Sequence, residues 1–280
     1  MTTSDTFSEI TSELIALAVD GDRRAVEKIV RTLQKPIYGV AVRMLLDRVD
    51  AEDATQEALI RIITRLAQYR GEAKFSTWAW RIAVRRILDF REERTAAAQR
   101  TFDAFANDLA QGRDDEAVPR PEDELLHRQL KVVCSRAMLQ CLDGDHRIAF
   151  ILGEILGFSS DEAAEVLEIE AAAFRKRLSR ARTALVEFLS RTCGVFDAKA
   201  PCACHRRLDR AITLGRVKRD DLEVRPEEGR NLPGLQAHLS TLSEMHRLTA
   251  YYRSDPDPMS KRDFVVTLRT MIHQYKEPPS

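Results

Sequence analysis

The chain has 280 residues, and its 44 Lys and Arg balance 44 Asp and Glu, so the formal net charge is zero. Hydrophobic residues make up 44% and charged residues 31% of the sequence, as in ordinary globular proteins. No apolar run approaches the roughly 20 residues that a membrane span needs. The first ten residues contain Asp5 and Glu9 but no basic residue, unlike a secretory signal. We therefore expect no membrane insertion and a cytoplasmic protein.

Apolar residues recur at spacings of three and four along most of the chain, and strand-like alternation is scarce, which predicts an all-α fold. Periodicity is lost in one stretch that contains Pro119 and Pro121, and we interpret this stretch as a flexible linker. The expected architecture is two helical domains joined by that linker, followed by a helical C-terminal extension with helices near 233–252 and 260–275. The predicted bounds are 9–94 for the first domain, 95–121 for the linker, 122–191 for the second domain and 192–280 for the extension.

The second domain contains the pattern of a helix-turn-helix. A helix breaks at Gly157, and Ser159 or Ser160 can cap the short helix that follows. That helix ends near Leu167, and a three-residue turn leads into a longer helix from about Ala171 to Ser190. In such a motif the second helix enters the major groove of DNA.

The longer helix has two different faces. Its predicted core stripe is Phe174, Leu178, Ala181, Leu185 and Phe188. No acidic residue occurs from Ala171 to Arg182, so the opposite face is basic, although the chain as a whole is neutral. Its cations can bind phosphates or guanine edges. A solvated basic face on a structural helix is the alternative, and the capped helix before it favours DNA. The candidate DNA-binding residues are Arg175, Lys176, Arg177, Arg180 and Arg182.

The first domain contains a helix with an acidic side. Its predicted apolar stripe is Leu59, Ile62, Ile63 and Leu66. Asp53, Glu57 and Arg61 follow one another at spacings of four residues on another face. This face could be a docking surface for a protein partner, or an exposed face with a stabilising Glu57–Arg61 pair. The spacing alone does not decide between them.

The next helix combines an aromatic residue with arginines. We expect Ser76 or Thr77 to cap it. Proteins bind single-stranded DNA through aromatic rings, on which bases stack, and through cations, which contact the phosphate backbone. The polar side of this helix carries both. Both tryptophans could instead be core residues; we assign Trp80 to the core and leave Trp78 open. The candidates for DNA contact are Trp78, Arg81, Arg85 and Arg86.

Two segments resemble a known family. LGFSSDEAAEVLEIEAAAFRKRLSRARTAL resembles region four of the extracytoplasmic-function sigma factors of bacterial RNA polymerase. DAEDATQEALIRIITRLAQYRGEAKFSTWAWRIAVRRILDFRE resembles their region two, and the two segments follow the family order. The chain departs from the family at Glu168, where glycine is usual, and at Ala173, where a hydroxyl residue is usual.

The resemblance implies a non-enzymatic factor that directs promoter recognition and transcription initiation. Its region two would read the minus-ten element, and its region four the minus-thirty-five element. The implied partners are promoter DNA, the flap of the second-largest polymerase subunit, the clamp helices of the largest subunit and, in some members, an anti-sigma factor. The residues that match the clamp-binding motif are Asp50, Asp53, Gln56 and Glu57.

Two other functions compete with this interpretation. A stand-alone helix-turn-helix repressor or activator would not need the segment from Asp50 to Glu92. An enzyme that uses Cys202, Cys204 or His205 has no supporting metalloprotease, phosphate-loop or nucleophile-elbow motif.

The extension opens with a cysteine cluster. The ligands Cys193, Cys202, Cys204 and His205 could hold zinc, although the adjacent Cys204 and His205 would struggle to bind one ion together. Nearby arginines could instead favour redox-sensing thiols, or the cysteines could be reduced and without a ligand. A secreted disulfide scaffold is unlikely in a chain of 280 residues with only five cysteines. We expect the tail helices to pack back on the second domain, with docking of a partner as the alternative.

Overall fold

The structure is a computed structural model that describes residues 7, 9–94, 100–226 and 231–268. Within these ranges the chain is built from helices, and the sole β-type pairing is an isolated bridge between Cys193 and Cys202. The predicted all-α fold is confirmed. None of the described helices is long and apolar enough to cross a membrane.

The helices are numbered in chain order. The first four are α1 (Ser12–Val19), α2 (Arg23–Leu45), α3 (Arg48–Thr64) and α4 (Phe75–Arg94). The next four are α5 (Phe102–Ala110), α6 (Glu124–Leu139), α7 (Gly144–Phe150) and α8 (Ser160–Leu167). The last four are α9 (Ala171–Thr192), α10 (Cys204–Thr213), α11 (Leu232–Ser240) and α12 (Glu244–Arg253). A π-helical turn, Ile151–Ile155, follows α7, and residues 264–268 are also helical.

The described residues form two compact units, which cut across the predicted blocks. The first unit contains the residues up to 94, together with 156–174 and 258–268. In it α2, α3 and α4 pack against one another, and α8 packs on α4. The carboxylates of Asp22 and Asp47 accept hydrogen bonds from the free amides that begin α2 and α3. Ile29, Leu59 and Trp80 are among the residues buried in this core.

The second unit contains the described residues of 98–155 and 175–257. Helix α10 packs on α6, and their cluster includes Leu126, Leu130 and Leu208. The predicted linker differs from the structure here, because part of it forms α5. Thr101 caps this helix, and its side chains Phe105 and Leu109 are buried. The segment therefore contributes to the core of the second unit.

The extension up to residue 257 lies in the second unit, as predicted, whereas residues 258–268 lie in the first unit, contrary to the prediction. Leu235, Leu239 and Leu248 are buried, and so are Phe264 and Leu268. The single helix predicted over 233–252 is instead two, α11 and α12, because the chain turns at Thr241 and Ser243 begins a new helix. The end of the predicted 260–275 helix, with Met271, lies outside the described residues.

Candidate nucleic-acid and protein interfaces

Both helices and the turn of the predicted helix-turn-helix are present. Ser159 caps α8 in a reciprocal capping box: the amide of Glu162 donates to the Ser159 hydroxyl, and the Glu162 carboxylate accepts from the Ser159 amide. Helix α8 ends at Leu167, and the next residue, Glu168, has a φ of 55° and a ψ of 42°, in the left-handed region. This conformation explains why glycine is usual at that position. Helix α9 then begins at Ala171.

Helix α9 separates its apolar and basic faces as the sequence predicts. All five residues of the predicted stripe are buried: Phe174, Leu178, Ala181, Leu185 and Phe188. On the other side Arg175, Lys176 and Arg180 are exposed. A cationic surface therefore runs along the N-terminal half of α9.

Two of the predicted DNA-binding residues on α9 are engaged elsewhere. Arg177 lies 2.8 Å from Asp145 in an ion pair. Arg182 donates through Nε to Oε1 of Glu154 at 2.5 Å, and that carboxylate is only 5% exposed. Arg182 thus neutralises a buried charge, which gives it a structural role, and we remove it from the proposed DNA-binding set.

The four predicted polymerase-binding residues lie on α3, and each has a partner within the first unit. Asp50 lies 3.3 Å from Arg94. Arg262 donates to Asp53 and Gln56, at 2.7 and 2.9 Å. The predicted Glu57–Arg61 pair is not formed: Arg86 binds Glu57 at 2.8 Å, and Arg61 faces Asp89 at 3.6 Å.

Glu52 is a further acidic residue of this face that the sequence reasoning missed. It accepts hydrogen bonds from Ser260 and from the backbone of Lys261. It lies one residue before Asp53 on a neighbouring row of the helix surface, so the four-residue spacing of Asp53, Glu57 and Arg61 did not include it.

The predicted DNA-binding residues of α4 fall into two groups. Trp78 is half-buried, with its ring centroid 5.5 Å from that of Tyr69 and 5.7 Å from that of Phe75. The Arg85 side chain is 74% exposed, and Arg81 lies 3.7 Å from both Glu165 and Glu168 of the first unit. These three residues remain candidates for DNA contact.

Arg86 differs from its prediction. Its side chain is 5% exposed and is held by Glu57 at 2.8 Å and Glu93 at 2.9 Å. The hydrogen bond with Glu93 raises the pKa of Arg86, so this buried cation stabilises the first unit and we remove it from the DNA-binding set. Trp80 is buried, as assigned. Neither Ser76 nor Thr77 is the cap residue, because α4 begins one residue earlier, at Phe75.

Four cysteines line one cavity of about 30 Å³ in the second unit: Cys134, Cys193, Cys202 and Cys204. The predicted ligand His205 is absent from this lining and instead lies 6.4 Å from His127, ring centroid to ring centroid. Consecutive residues of a helix point about 100° apart, so Cys204 and His205 diverge at the start of α10. Within the described ranges, no three His, Cys, Asp or Glu residues are placed to hold a metal ion. The candidate zinc ligands are therefore not brought together in the described part of the chain.

The turn between α8 and α9 provides a stability prediction. Glu168→Gly should raise the free energy of unfolding by about 0.5–1 kcal/mol, since glycine adopts positive φ without steric cost. The lost ion pairs of Glu168 with Arg81 and Arg85, at 3.7 and 3.9 Å, are exposed and contribute little. Urea unfolding measures the change. Glu168→Ala is the control, because it removes the same charge but keeps the Cβ that makes positive φ costly; equal values for both variants would contradict the explanation.

The cavity thiols provide a second prediction. Burial raises the pKa of Cys202 to about 11, and it also raises the pKa of Cys134 and Cys204. Because the thiolate is the reactive form, iodoacetamide at pH 8 should modify these three at least tenfold more slowly in the native chain than in urea. Peptide mass spectrometry measures the rates, and equal rates would show that the thiols are accessible.

The same shift sets the pH dependence of stability. A thiol whose native pKa is raised binds its proton more tightly when folded, so the free energy of unfolding should fall as pH rises from 9 towards 11.

Comparisons with known proteins agree with the two regions described above. The family model for Sigma-70 region 2 matches residues 29–96, and the one for Sigma-70, region 4 matches residues 134–185. RNA polymerase sigma-H factor of Pseudomonas aeruginosa is 30% identical over 176 residues, which cover 62% of this chain and 90% of that protein. ECF RNA polymerase sigma-E factor of Escherichia coli K12 is 27% identical over 180 residues, 63% of this chain and 93% of that protein.

A solved structure, that of CnrH in complex with the cytosolic domain of CnrY, is 23% identical with a TM-score of 0.47 and covers 63% of this chain and 95% of that one. The relatives match over their near-complete length, and both family models match in the expected order. The chain therefore belongs to the extracytoplasmic-function sigma factors of the sigma-70 family.

Proposed function

We propose that this sigma factor binds core RNA polymerase through the acidic face of α3 and reads the minus-thirty-five element through α9. It directs promoter recognition and transcription initiation and catalyses no reaction itself. Acting on polymerase and chromosomal DNA, it would work in the cytoplasm. The anti-sigma factor stays a prediction from the family resemblance.

The observation that carries the DNA-binding part is the exposed cationic surface of α9. Arg175, Lys176 and Arg180 are exposed at the start of the second helix of a helix-turn-helix. The small residues Ala171–Ala173 precede them, so the backbone can approach base edges closely. The cations supply phosphate contacts for position and guanine contacts for specificity.

The polymerase-binding part rests on charge. Helix α3 presents Asp50, Glu52 and Asp53 on its partly exposed side. A partner that presents cations would be attracted to this face and oriented by it. The match of Asp50, Asp53, Gln56 and Glu57 to the family motif supports polymerase as that partner. Glu57 would have to release Arg86 in order to take part.

The melted minus-ten strand would bind at α4. Trp78 offers a half-buried ring for stacking one base, and Tyr69 and Phe75 hold that ring in place. Arg81 and Arg85 lie one and two helical turns further along and can follow the phosphate backbone.

Co-purification with core polymerase tests the proposal against the alternative of a stand-alone repressor or activator. We expect the purified chain to form a one-to-one complex with core polymerase on size-exclusion chromatography. A repressor with the same helix-turn-helix would bind promoter DNA yet elute separately from core.

A further inference from the structure

The segment 258–268 lies on the proposed polymerase-binding face of α3. Arg262 Nη1 donates to Oδ1 of Asp53 at 2.7 Å and to Oε1 of Gln56 at 2.9 Å. Its Nε lies 3.6 Å from Glu52, a third polar side chain of the same face. One arginine of the extension therefore contacts two of the four residues predicted to bind polymerase, and a carboxylate beside them.

The backbone around Arg262 is organised for this contact. The Ser260 hydroxyl donates to Glu52 at 2.7 Å and accepts from the Arg262 amide at 2.9 Å, and the Lys261 amide donates to the same carboxylate oxygen of Glu52 at 3.2 Å. Asp263 then caps the next helical turn, accepting from the amide of Val265 at 3.0 Å. These bonds fix the direction in which Arg262 points.

Buried apolar residues on both sides of Arg262 anchor the segment. Pro258 is buried beside Gly39 of α2. Its Cδ lies 4.0 Å from the position that a Cβ on Gly39 would occupy. Phe264, Val265 and Leu268 are each less than 5% exposed. The segment is therefore seated in the first unit by side chains separate from its charged contact.

We infer that residues 258–268 compete with core polymerase for α3, so that the described structure is a closed, self-inhibited form of the sigma factor. The inference rests on the proposed function and adds its regulation. Arg262 supplies the cation that an acidic face requires of its partner. The Arg262 and Asp53 side chains are 27% and 39% exposed, and a pair this exposed is weak, so polymerase or another ligand can displace it.

The contacts of α4 agree with a closed form. Arg81 donates to the backbone carbonyl of Glu165 in α8 at 3.3 Å, and the Arg81 and Arg85 side chains face Glu168. The proposed strand-binding arginines are thus turned towards α8 carboxylates, while Arg262 covers α3. Release of Arg262 would uncover the polymerase face of α3, and release of Arg81 from α8 would free it to join Arg85, which is already 74% exposed, in DNA contact.

Charge reversal at Arg262 tests the inference in the full-length chain. Arg262→Glu places a carboxylate against Glu52 and Asp53, which should open the segment. If the closed form makes up about nine-tenths of the molecules, opening should lower the apparent dissociation constant for core polymerase about tenfold. Arg219→Glu is the matched control, because Arg219 is an exposed arginine of the same extension, paired with Asp123 at 3.3 Å. It should bind core like the unaltered chain.

Hydrogen exchange of the free protein gives a second reading. Amides of α3 should exchange faster in Arg262→Glu than in Arg219→Glu, while circular dichroism stays unchanged. Equal core affinity of the two variants would overturn the inference and leave the proposed function standing. Weaker binding by Arg262→Glu would also overturn it, since Arg262 would then aid docking. If none of the proteins binds core, the proposed function fails, and the inference fails with it.

Discussion

Arg175→Ala combined with Arg180→Ala is expected to reduce transcription from a cognate promoter by about 100-fold. Both side chains are exposed on the acid-free half of α9, and a bidentate arginine contact to a guanine edge is typically worth about 1–3 kcal/mol. The loss should be one of DNA binding, because neither residue lies on α3. Run-off transcription and core-binding affinity, measured on the same preparations, separate the two effects.

Arg191→Ala is the matched control for this double variant. Arg191 is also exposed on α9 but lies beyond the basic segment, near the C-terminal end of the helix. It should retain full promoter use. In the double variant the slope of log affinity for promoter DNA against log salt should also fall by about 2, if both arginines neutralise phosphates. Unchanged transcription in the double variant would remove α9 from the DNA interface.

Asp255→Ala is expected to lower the free energy of unfolding of the second unit by about 3–5 kcal/mol. Asp255 forms an ion pair with Lys131 at 2.7 Å, and the two side chains are 5% and 4% exposed. Ser135 donates to the second oxygen of the carboxylate, and the Lys131 ammonium lies 4.1 Å from the ring centroid of Tyr251. Removal of the carboxylate leaves a buried cation without its counter-charge, which is far costlier than removal of an exposed pair.

Two further variants make this test specific. Arg219→Ala breaks an exposed pair and should cost less than about 1 kcal/mol. Lys131→Met combined with Asp255→Leu removes both charges and should recover much of the loss, because no buried charge stays unpaired. Urea unfolding followed by circular dichroism measures all three. If Asp255→Ala and Arg219→Ala lowered the free energy of unfolding equally, the Lys131–Asp255 pair would not stabilise the packing of α6 against the residues that follow α12.

Local patterns predicted the parts of the fold that depend on neighbouring residues. The 3.6-residue period identified the buried stripe of α9, and Ser159 and Ser160 were the two cap candidates for α8, of which the structure selects Ser159. The unusual Glu168 was correctly placed at the turn, where it adopts a positive φ. The same kind of signal was present for α5, since Thr101 is a capping residue followed by Phe102 and Phe105 at helical spacing. The loss of periodicity and the nearby Pro119 and Pro121 instead favoured a linker there.

Contacts between distant residues could not be predicted in this way. Arg86 was assigned to DNA because it follows Arg85, but its partner Glu57 lies 29 residues earlier in the chain. Cys134 comes from α6, far from the cluster in the extension, and replaces His205 at the cavity. Arg262 and Asp53 are 209 residues apart. Helical periodicity predicts which charged residues lie on a polar face, but it does not predict which distant residue forms an ion pair with them once the helices pack.

In vitro transcription is the most direct test of the central claim, that this chain is a sigma factor. Core polymerase is mixed with a genomic fragment library, with and without the full-length chain or its Arg262→Glu variant, and transcript 5′ ends are mapped. We expect a set of start sites that depends on the added chain, shared upstream elements, and higher yield with Arg262→Glu. The same start sites with and without either protein would contradict the account.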